Sequence, residues 1–264
     1  MREVVSSRWV GILACLPLLS ACRAQAVGYE AWAQAADDST DVATAEAALL
    51  APAADEAVMT SASPEEAATA AATRASAMFG SCVSTSVTGA LVIYTLDACT
   101  GPYGLVTVSG AVHVSYRAGA SGLAFVAQAS DLDVNGGTLS FENEGVISGS
   151  GTSRTLELDV DARGTTPRGR EYTRVGSYTL SWDAGTECMS LEGDWATELE
   201  RVSWSTTVRG YERCEGGCPA SGGSIVWSSA SGSVTVRYDG SARAEWEADG
   251  RRERTGSIPL VCGG

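Results

Sequence analysis

From Gly80 to the C-terminus, apolar and polar residues alternate one by one, and this period of two constrains the fold more than any other feature. Val112 and Val114, for example, alternate with His113 and Ser115. The same alternation recurs over residues 178–182, 202–208 and 234–238. It is typical of antiparallel strands with one buried face and one hydrated face. The pairs Asn135-Gly136, Asp239-Gly240 and Asp249-Gly250 predict hairpin turns.

Three glycines fall on the apolar side of these predicted strands, namely Gly110, Gly193 and Gly210. Glycine inside a strand is unfavourable unless it makes room for a neighbouring ring or permits a sharp bend. We therefore predict a mainly β domain over residues 80–264, with roughly 11–13 strands in one strongly curved antiparallel sheet, which is either bent and open or rolled into a barrel.

One helix is predicted before the sheet, over residues 63–79. Ser63 can cap it, Pro64 suits the first helical position, and Glu65 and Glu66 complement the dipole of the first turn. Gly80 provides the stop. One face of this helix is small and apolar and is suited to packing on the sheet: Ala68, Ala71, Ala72, Ala75 and Phe79.

The N-terminus has the features of a secretory signal over residues 1–21, with Arg2 and Arg8 before an apolar run that starts at Trp9. The run ends in Leu-Ser-Ala-Cys at Cys22, which resembles the lipobox of bacterial lipoproteins. That resemblance implies cleavage before Cys22, a diacylglyceryl thioether on its sulfur, and a bilayer as partner. The alternative is an ordinary cleaved signal with a chance cysteine, which gives an exported soluble protein.

Residues 22–62 are rich in alanine and acids and are predicted to be a disordered tether. Arg23 follows the lipobox cysteine. It is not the aspartate that retains lipoproteins of some species in the inner membrane. The expected location is therefore the cell envelope, with the outer membrane of a Gram-negative bacterium favoured.

The net charge of −14 excludes a nucleic-acid binder of the usual kind. All 18 basic residues are arginine, and they form no basic stripe. Anionic lipid headgroups would also repel the acidic body, so membrane association has to come from the acyl chains.

An even set of cysteines remains after the lipobox, which in an oxidising compartment predicts disulfides: Cys82, Cys99, Cys188, Cys214, Cys218 and Cys262. A hairpin turning near Gly89 places Cys82 opposite Cys99. A turn near residues 198–201 would bring Trp195 opposite Trp204 and Cys188 near Cys214, leaving Cys218 for Cys262. Alternatively, Cys214 closes on Cys218 and Cys188 pairs with Cys262.

One acidic stretch matches the spacing of an EF-hand calcium loop, through Asp131, Asp133, Asn135 and Glu142. The match is formal, because an EF-hand needs flanking helices and both flanks here alternate as strands do. Asn135-Gly136 is better explained as a hairpin turn.

Catalytic candidates are few. His113 is the single histidine and lies on the polar side of its strand, where a surface position is the simpler interpretation than a catalytic triad or a zinc site. Glu157, Asp159 and Asp161 share a strand face and could serve a glycosidase, but outward acids usually keep a strand face hydrated.

Five tryptophans share their strand faces with apolar or small residues: Trp182, Trp195, Trp204, Trp227 and Trp246. This phase predicts rings in the core. The alternative is an aromatic pocket inside the roll that binds an apolar ligand.

Four segments of the body carry a resemblance to a family of uncharacterised, disulfide-containing lipoproteins of high-GC Gram-negative bacteria: residues 99–110, 191–195, 210–219 and 258–262. The resemblance implies envelope localisation and a disulfide-bonded β body, and it supplies no catalytic residues. The expected function is that of a lipid-anchored envelope protein with a non-catalytic binding or structural role and no cofactor. A carrier of an apolar ligand and an envelope hydrolase are the alternatives.

Overall fold

The computed structural model describes residues 46, 49–100, 107–120, 122–150, 153–183, 186, 188–214, 217–249 and 254–260. The predicted signal, Cys22 and Cys262 lie outside these residues. The side chain of Trp182 is likewise not described.

Within residues 51–82, two α-helices precede the sheet, α1 (Glu56–Met59) and α2 (Pro64–Phe79), each next to a 3₁₀ turn, Ala51–Ala54 and Gly80–Cys82. The strands are β1 (Val83–Thr88), β2 (Leu91–Thr100), β3 (Thr107–Ala118), β4 (Leu123–Val134), β5 (Gly137–Ser150), β6 (Ser153–Thr165), β7 (Glu171–Asp183), β8 (Cys188–Leu199), β9 (Val202–Cys214), β10 (Ser224–Ser229), β11 (Gly232–Tyr238), β12 (Arg243–Asp249) and β13 (Arg254–Pro259).

All thirteen strands form one antiparallel sheet in which each strand pairs with its neighbours in sequence order. The mainly β fold and the predicted number of strands are confirmed. The sheet is not closed, because β1 and β13 are its two edges. Of the two alternatives left by the sequence, the open sheet is therefore the one observed, and the closed barrel is excluded.

The sheet has two distinct faces. The inner face carries the apolar residues of each strand, such as Val112 in β3 and Leu158 in β6, which are 0% and 2% exposed. The outer face carries the alternating polar residues, such as His113 and Asp161, which are exposed. This arrangement follows from the period of two, because successive side chains of a strand point to opposite faces.

Helix α2 packs on the inner face of β1, β2 and β3. Its capping follows the prediction: the Ser63 hydroxyl accepts a hydrogen bond from the Glu66 N–H at 3.2 Å, and the Glu66 carboxylate accepts one from the Ala62 N–H at 2.9 Å. Buried alanines form the contact face and let the helix lie close to the strands: Ala67, Ala68, Ala71, Ala72 and Ala75.

Residues 49–62 belong to the folded domain, whereas the sequence assigned them to the tether. Leu49, Leu50, Ala53 and Val58 are each at most 4% exposed and belong to the same core as the sheet. The sequence pattern missed this segment because its apolar residues are few and irregularly spaced. Each of these apolar residues is nevertheless buried in the core.

Local irregularities interrupt the register of β2 to β5, with shifts between each neighbouring pair of these strands. Ala98 and Asp131 adopt φ values of 48° and 52° there, and the N–H of each donates to a serine hydroxyl on the next strand, Ser109 and Ser140, at 2.9 Å. Gly110 lies at a third shift with φ 127°. These are β-bulges whose extra backbone donors are satisfied across the strand.

The β8–β9 hairpin differs from the predicted pairing. Its turn has only two residues, since Leu199 pairs with Val202, and Trp195 therefore faces Thr206 rather than Trp204. The register of β8 and β9 also shifts between Leu191 and Gly193, opposite Gly210, which has φ 57°. The glycine predicted to permit a bend thus marks a bulge.

Two glycines on the inner face lie close to aromatic residues of the neighbouring strand. A Cβ on Gly193 would lie 2.5 Å from the Tyr178 Cβ and 2.7 Å from the Ser177 carbonyl oxygen, and a Cβ on Gly256 would lie 2.6 Å from the Trp246 ring nitrogen. At Gly193 the close atoms are the Tyr178 Cβ and the backbone of the neighbouring strand rather than a ring, whereas at Gly256, which the sequence analysis did not single out, they belong to the Trp246 ring.

Replacing Gly193 with alanine should lower the free energy of unfolding by about 1–3 kcal/mol, because the added Cβ overlaps both the Tyr178 side chain and the neighbouring backbone. Urea denaturation of Gly193→Ala measures the loss. Ser177→Ala, on the exposed outer face of β7, is the control and should change the value by no more than about 0.5 kcal/mol. Equal stability of the glycine variant and the wild type would contradict the close packing.

Candidate functional site

Two disulfides tie neighbouring strands together. Cys82 and Cys99 are bonded with their Cα atoms 5.3 Å apart, across the hairpin that turns at residues 89–90. Cys188 and Cys214 are bonded and are direct partners in the register of β8 and β9. Both pairs were predicted, and the alternative in which Cys214 closes on Cys218 is excluded. Cys218 is also disulfide-bonded, and its pairing with Cys262 stays a prediction.

The same disulfide accounts for the group of metal-type ligands that the described residues bring within 4.8 Å, namely Cys188, Glu212 and Cys214. Two of its three ligand atoms are sulfurs already joined to each other. A disulfide sulfur is a poor metal ligand, because metals bind the thiolate. This group therefore does not form a metal site in the oxidised protein.

The formal calcium loop is not assembled. Asp131 and Asp133 lie on β4, where Asp131 is the bulge residue that donates to Ser140. The Asn135 side-chain oxygen accepts from the Thr107 N–H at 2.8 Å, and the Glu142 carboxylate accepts from Gln128 at 3.0 Å. Asn135 and Gly136 both have positive φ, 52° and 84°, which is the predicted type I′ hairpin turn.

His113 lies exposed on the outer face of β3, between Ile93 of β2 and Gln128 of β4 in the register. It is three strands away from β6, which carries all three of the proposed catalytic carboxylates. The structure does not bring the histidine and these acids together.

A shallow groove of about 460 Å³ crosses the outer face over β6 to β9. It contains two of the three carboxylates singled out from the sequence, Glu157 and Asp159, together with Glu192, Asp194 and Arg209. The sequence did not indicate the last three residues as neighbours, because they come from two further strands. Their alignment follows from the register, in which Asp159 pairs with Ser177 and Ser177 with Asp194.

Arg209, the one basic residue that lines this groove, already forms an ion pair. Arg209 binds the Asp194 carboxylate at 2.6 Å, and Thr207 donates to the same carboxylate at 2.7 Å. These hydrogen bonds, that from Thr207 first, hold the pKa of Asp194 below its usual range. A glycosidase requires one carboxyl with a raised pKa as its acid. Asp194 has the opposite property.

The inner face of β7 to β12 carries a set of aromatic residues that we call the aromatic wall: Tyr178, Trp195, Trp204, Trp227, Tyr238 and Trp246. Trp204 is buried at 6% exposure, whereas the other five are partly exposed. Among the four tryptophans whose side chains are described, the predicted core position is thus complete for Trp204 only. The rest form a half-covered apolar surface.

A buried polar cluster lies beside this wall. Glu46, 2% exposed, accepts a hydrogen bond from the Asn143 amide at 2.7 Å and forms an ion pair with Arg174 at 3.3 Å. The Arg174 guanidinium in turn lies 5.3 Å from the centre of the Trp195 ring. The cluster joins the segment before α1 to β5, β7 and β8, and the sequence gave no indication of it.

Burial dominates the electrostatics of this cluster. Desolvation raises the pKa of Glu46, and this effect exceeds the opposing attraction of Arg174 and the hydrogen bond from Asn143. Burial also raises the pKa of the nearby Tyr178. A buried carboxyl with a perturbed pKa is a general signal of functional sites, but structural ion pairs produce it as well.

Comparisons with known protein families, with characterised proteins and with experimentally solved structures found no match to this chain. In the part of the chain that the structure describes, no helix combines the length and the apolar character needed to cross a bilayer. The resemblance to a lipoprotein family therefore stays a hypothesis based on sequence motifs.

The pH dependence of stability should reveal the burial of Glu46. Because its pKa is higher in the folded chain than the ordinary 4.5, the native state binds this proton more tightly than the unfolded chain does. The free energy of unfolding of the wild type should therefore fall, relative to Glu46→Gln, as the pH rises from 4.5 through the folded pKa. Urea denaturation at a series of pH values measures the difference.

The control for this experiment is Glu144→Gln, which removes one negative charge from the exposed outer face. A wild type that gains stability relative to Glu46→Gln over the same pH range would contradict the prediction. It would mean that the attraction of Arg174 outweighs desolvation.

Proposed function

We propose that this protein is a lipid-anchored protein of the cell envelope with a non-catalytic binding or structural role. In this proposal Cys22 carries the acyl chains and the open sheet forms the exported body. The outer membrane is the favoured location. The protein needs no cofactor for such a role.

The observation that carries the proposal is the lipobox pattern that ends at Cys22, behind a basic start and an apolar run. The cysteines of the body support export. Cys82–Cys99 and Cys188–Cys214 are disulfides, and such bonds persist in oxidising compartments and are rare in the cytosol.

The outer face of the sheet supports a binding role away from the membrane. Glu144 of β5 pairs with Asp159 of β6, and the same row continues to Asp194 of β8. A second row adds Glu157 and Glu192. These side chains are exposed, and anionic headgroups would repel them. The acidic face would therefore point to the aqueous space, where a polar or basic partner can reach it.

The second candidate is a carrier of an apolar ligand, and the half-covered aromatic wall is the observation that favours it. For this function we infer that the sheet curves around its inner face. The bulges across β2 to β5 would bend the strands, since a bulge increases local twist. Gly256, opposite Trp246, would let the neighbouring ring approach the backbone closely.

Metabolic labelling with a palmitate analogue tests the anchor. We expect label on the wild type expressed in a Gram-negative bacterium and none on Cys22→Ser, because the acyl chains are attached at that sulfur. Cys15→Ser, which removes the other cysteine of the signal region, is the matched control and should keep the label. Labelling that persists in Cys22→Ser would refute the assignment, as would an unlabelled wild type.

Native mass spectrometry of the purified protein separates the two candidates. A binding or structural protein should show the mass of the acylated chain alone. A carrier should also show a co-purifying apolar species, released on unfolding and lost when Trp227 is replaced by serine. Detection of such a species would favour the carrier over the first proposal.

A further inference from the structure

The sheet has two edges, and only one of them is protected against pairing with a further strand. β13 begins with Arg254 and ends with Pro259, and charged residues and prolines are common means by which an edge strand avoids a second partner. β1 consists only of valine, serine and threonine, over Val83–Thr88. Among the strands that the structure describes, β1 pairs with β2 alone. One side of the β1 backbone is therefore open to another strand.

The β1–β2 hairpin determines which backbone groups of β1 point to that open side. Its turn has two residues, because Thr88 pairs with Leu91. The pair that closes a two-residue turn exchanges hydrogen bonds, and bonded and non-bonded pairs then alternate along the two strands. The N–H and C=O groups of Val83, Thr85 and Val87 therefore point away from β2.

The sequence of this edge reads the same in both directions, since residues 83–87 are Val-Ser-Thr-Ser-Val. If two such strands pair antiparallel around a two-fold axis at Thr85, Val83 lies opposite Val87 of the second copy, and each serine lies opposite a serine. The same register places outward-pointing groups opposite outward-pointing groups in all three pairs. These pairs can exchange about six hydrogen bonds.

An exposed apolar side chain lies at the same edge. Val87 is 40% exposed, although its partner in β2, Val92, is completely buried. In the two-fold pair Val87 would pack against Val83 of the second copy on the inner face, and Thr85 would lie beside its own equivalent. β-branched residues that face each other on neighbouring strands stabilise a sheet. The pairing therefore covers a surface that a single copy leaves in water.

Helix α2 leaves room for the second copy. It contacts β1, β2 and β3, so its axis runs above the middle strand of the three. In the two-fold pair the axes of the two α2 helices would be three strand spacings apart, about 14 Å. Helices in direct contact are about 8–10 Å apart. The two helices therefore do not collide when the edges join.

We propose that β1 is a self-association edge, at which two copies of this chain pair through residues 83–87 in antiparallel register around Thr85. The joined sheet has twenty-six strands, thirteen from each copy. The pairing uses the β1 edge of both copies, so the assembly ends at a dimer. It requires neither acylation at Cys22 nor a ligand, and it therefore goes beyond the proposed function.

Sedimentation velocity tests the pairing on the chain from residue 22 onward, with Cys22→Ser so that no acyl chain drives association. Five paired residues form an interface of only about 17 Å in length, so we expect a reversible dimer that forms between about 10 and 500 µM. Val87→Lys should raise the dissociation constant at least about tenfold, because the ammonium group would lie against Val83 of the other copy. Ile258→Lys is the matched control, since it places the same charge on the other edge strand at a side chain that is 43% exposed. It should leave the constant unchanged.

A second variant, Thr85→Pro, removes one outward N–H from each copy and leaves the hydrogen bonds between β1 and β2 in place. It should also weaken the dimer at least about tenfold, and circular dichroism reports whether each variant is folded. A chain that stays monomeric up to about 500 µM would overturn the proposal. A dimer that survives both β1 substitutions, or that is lost in Ile258→Lys, would overturn it as well.

Photocrosslinking identifies the register. A benzophenone amino acid is placed at position 86, which is exposed on the outer side of β1, and isotopically labelled and unlabelled copies are mixed. We expect crosslinks between a labelled and an unlabelled copy that join position 86 to residues 83–87. The same amino acid at position 257, exposed on β13, should give none. Crosslinks from position 86 to β13 of another copy, or only within one chain, would refute the two-fold pairing.

Discussion

A single antiparallel sheet has to bury one of its two faces, and this requirement organises the whole molecule. Each strand must present its apolar side to the same face, because a slip of one residue exchanges the two sides. Here each strand is joined by a hairpin to the next strand in sequence, so every hairpin has to keep the apolar sides on the same face. What covers the inner face then decides how well each part is buried. Val112 of β3, beneath helix α2, is fully buried, whereas Trp246 of β12, nine strand spacings farther along the sheet, is only half-covered.

The sequence was sufficient for the parts of the fold that local patterns encode. Alternation predicted the strands, and Ser63, Pro64 and Gly80 predicted both ends of helix α2. It was insufficient where one residue changes the register. The two-residue turn before Val202 and the bulge at Gly210 shift β9 against β8, and neither leaves a mark in the periodicity. The sequence could not predict whether the sheet closes either, because whether the two edge strands meet depends on the accumulated geometry of all the strands between them.

Candidate sites were predictable only where the chemistry is local to one hairpin. Cys82 and Cys99 flank one turn, so their pairing follows from the turn itself. The calcium pattern failed for the opposite reason. Spacing along a chain says nothing about a bulge, and Asp131 occupies one, where its backbone N–H and its carboxylate both bond to Ser140 of the neighbouring strand. The sequence did not indicate Glu46 as a buried residue, because an acidic residue in an alanine-rich segment is typical of a hydrated tether.

Glu46 nevertheless explains why the segment before α1 has a defined position. Alanine-rich chains pack on an apolar sheet with little preference for one register, because their side chains are short and alike. A buried carboxyl is different, since leaving it without partners costs several kcal/mol. Asn143 supplies one partner and Arg174 the other, and they lie on β5 and β7. Only one placement of the segment satisfies both, so the pair selects the position even where its net contribution to stability is small.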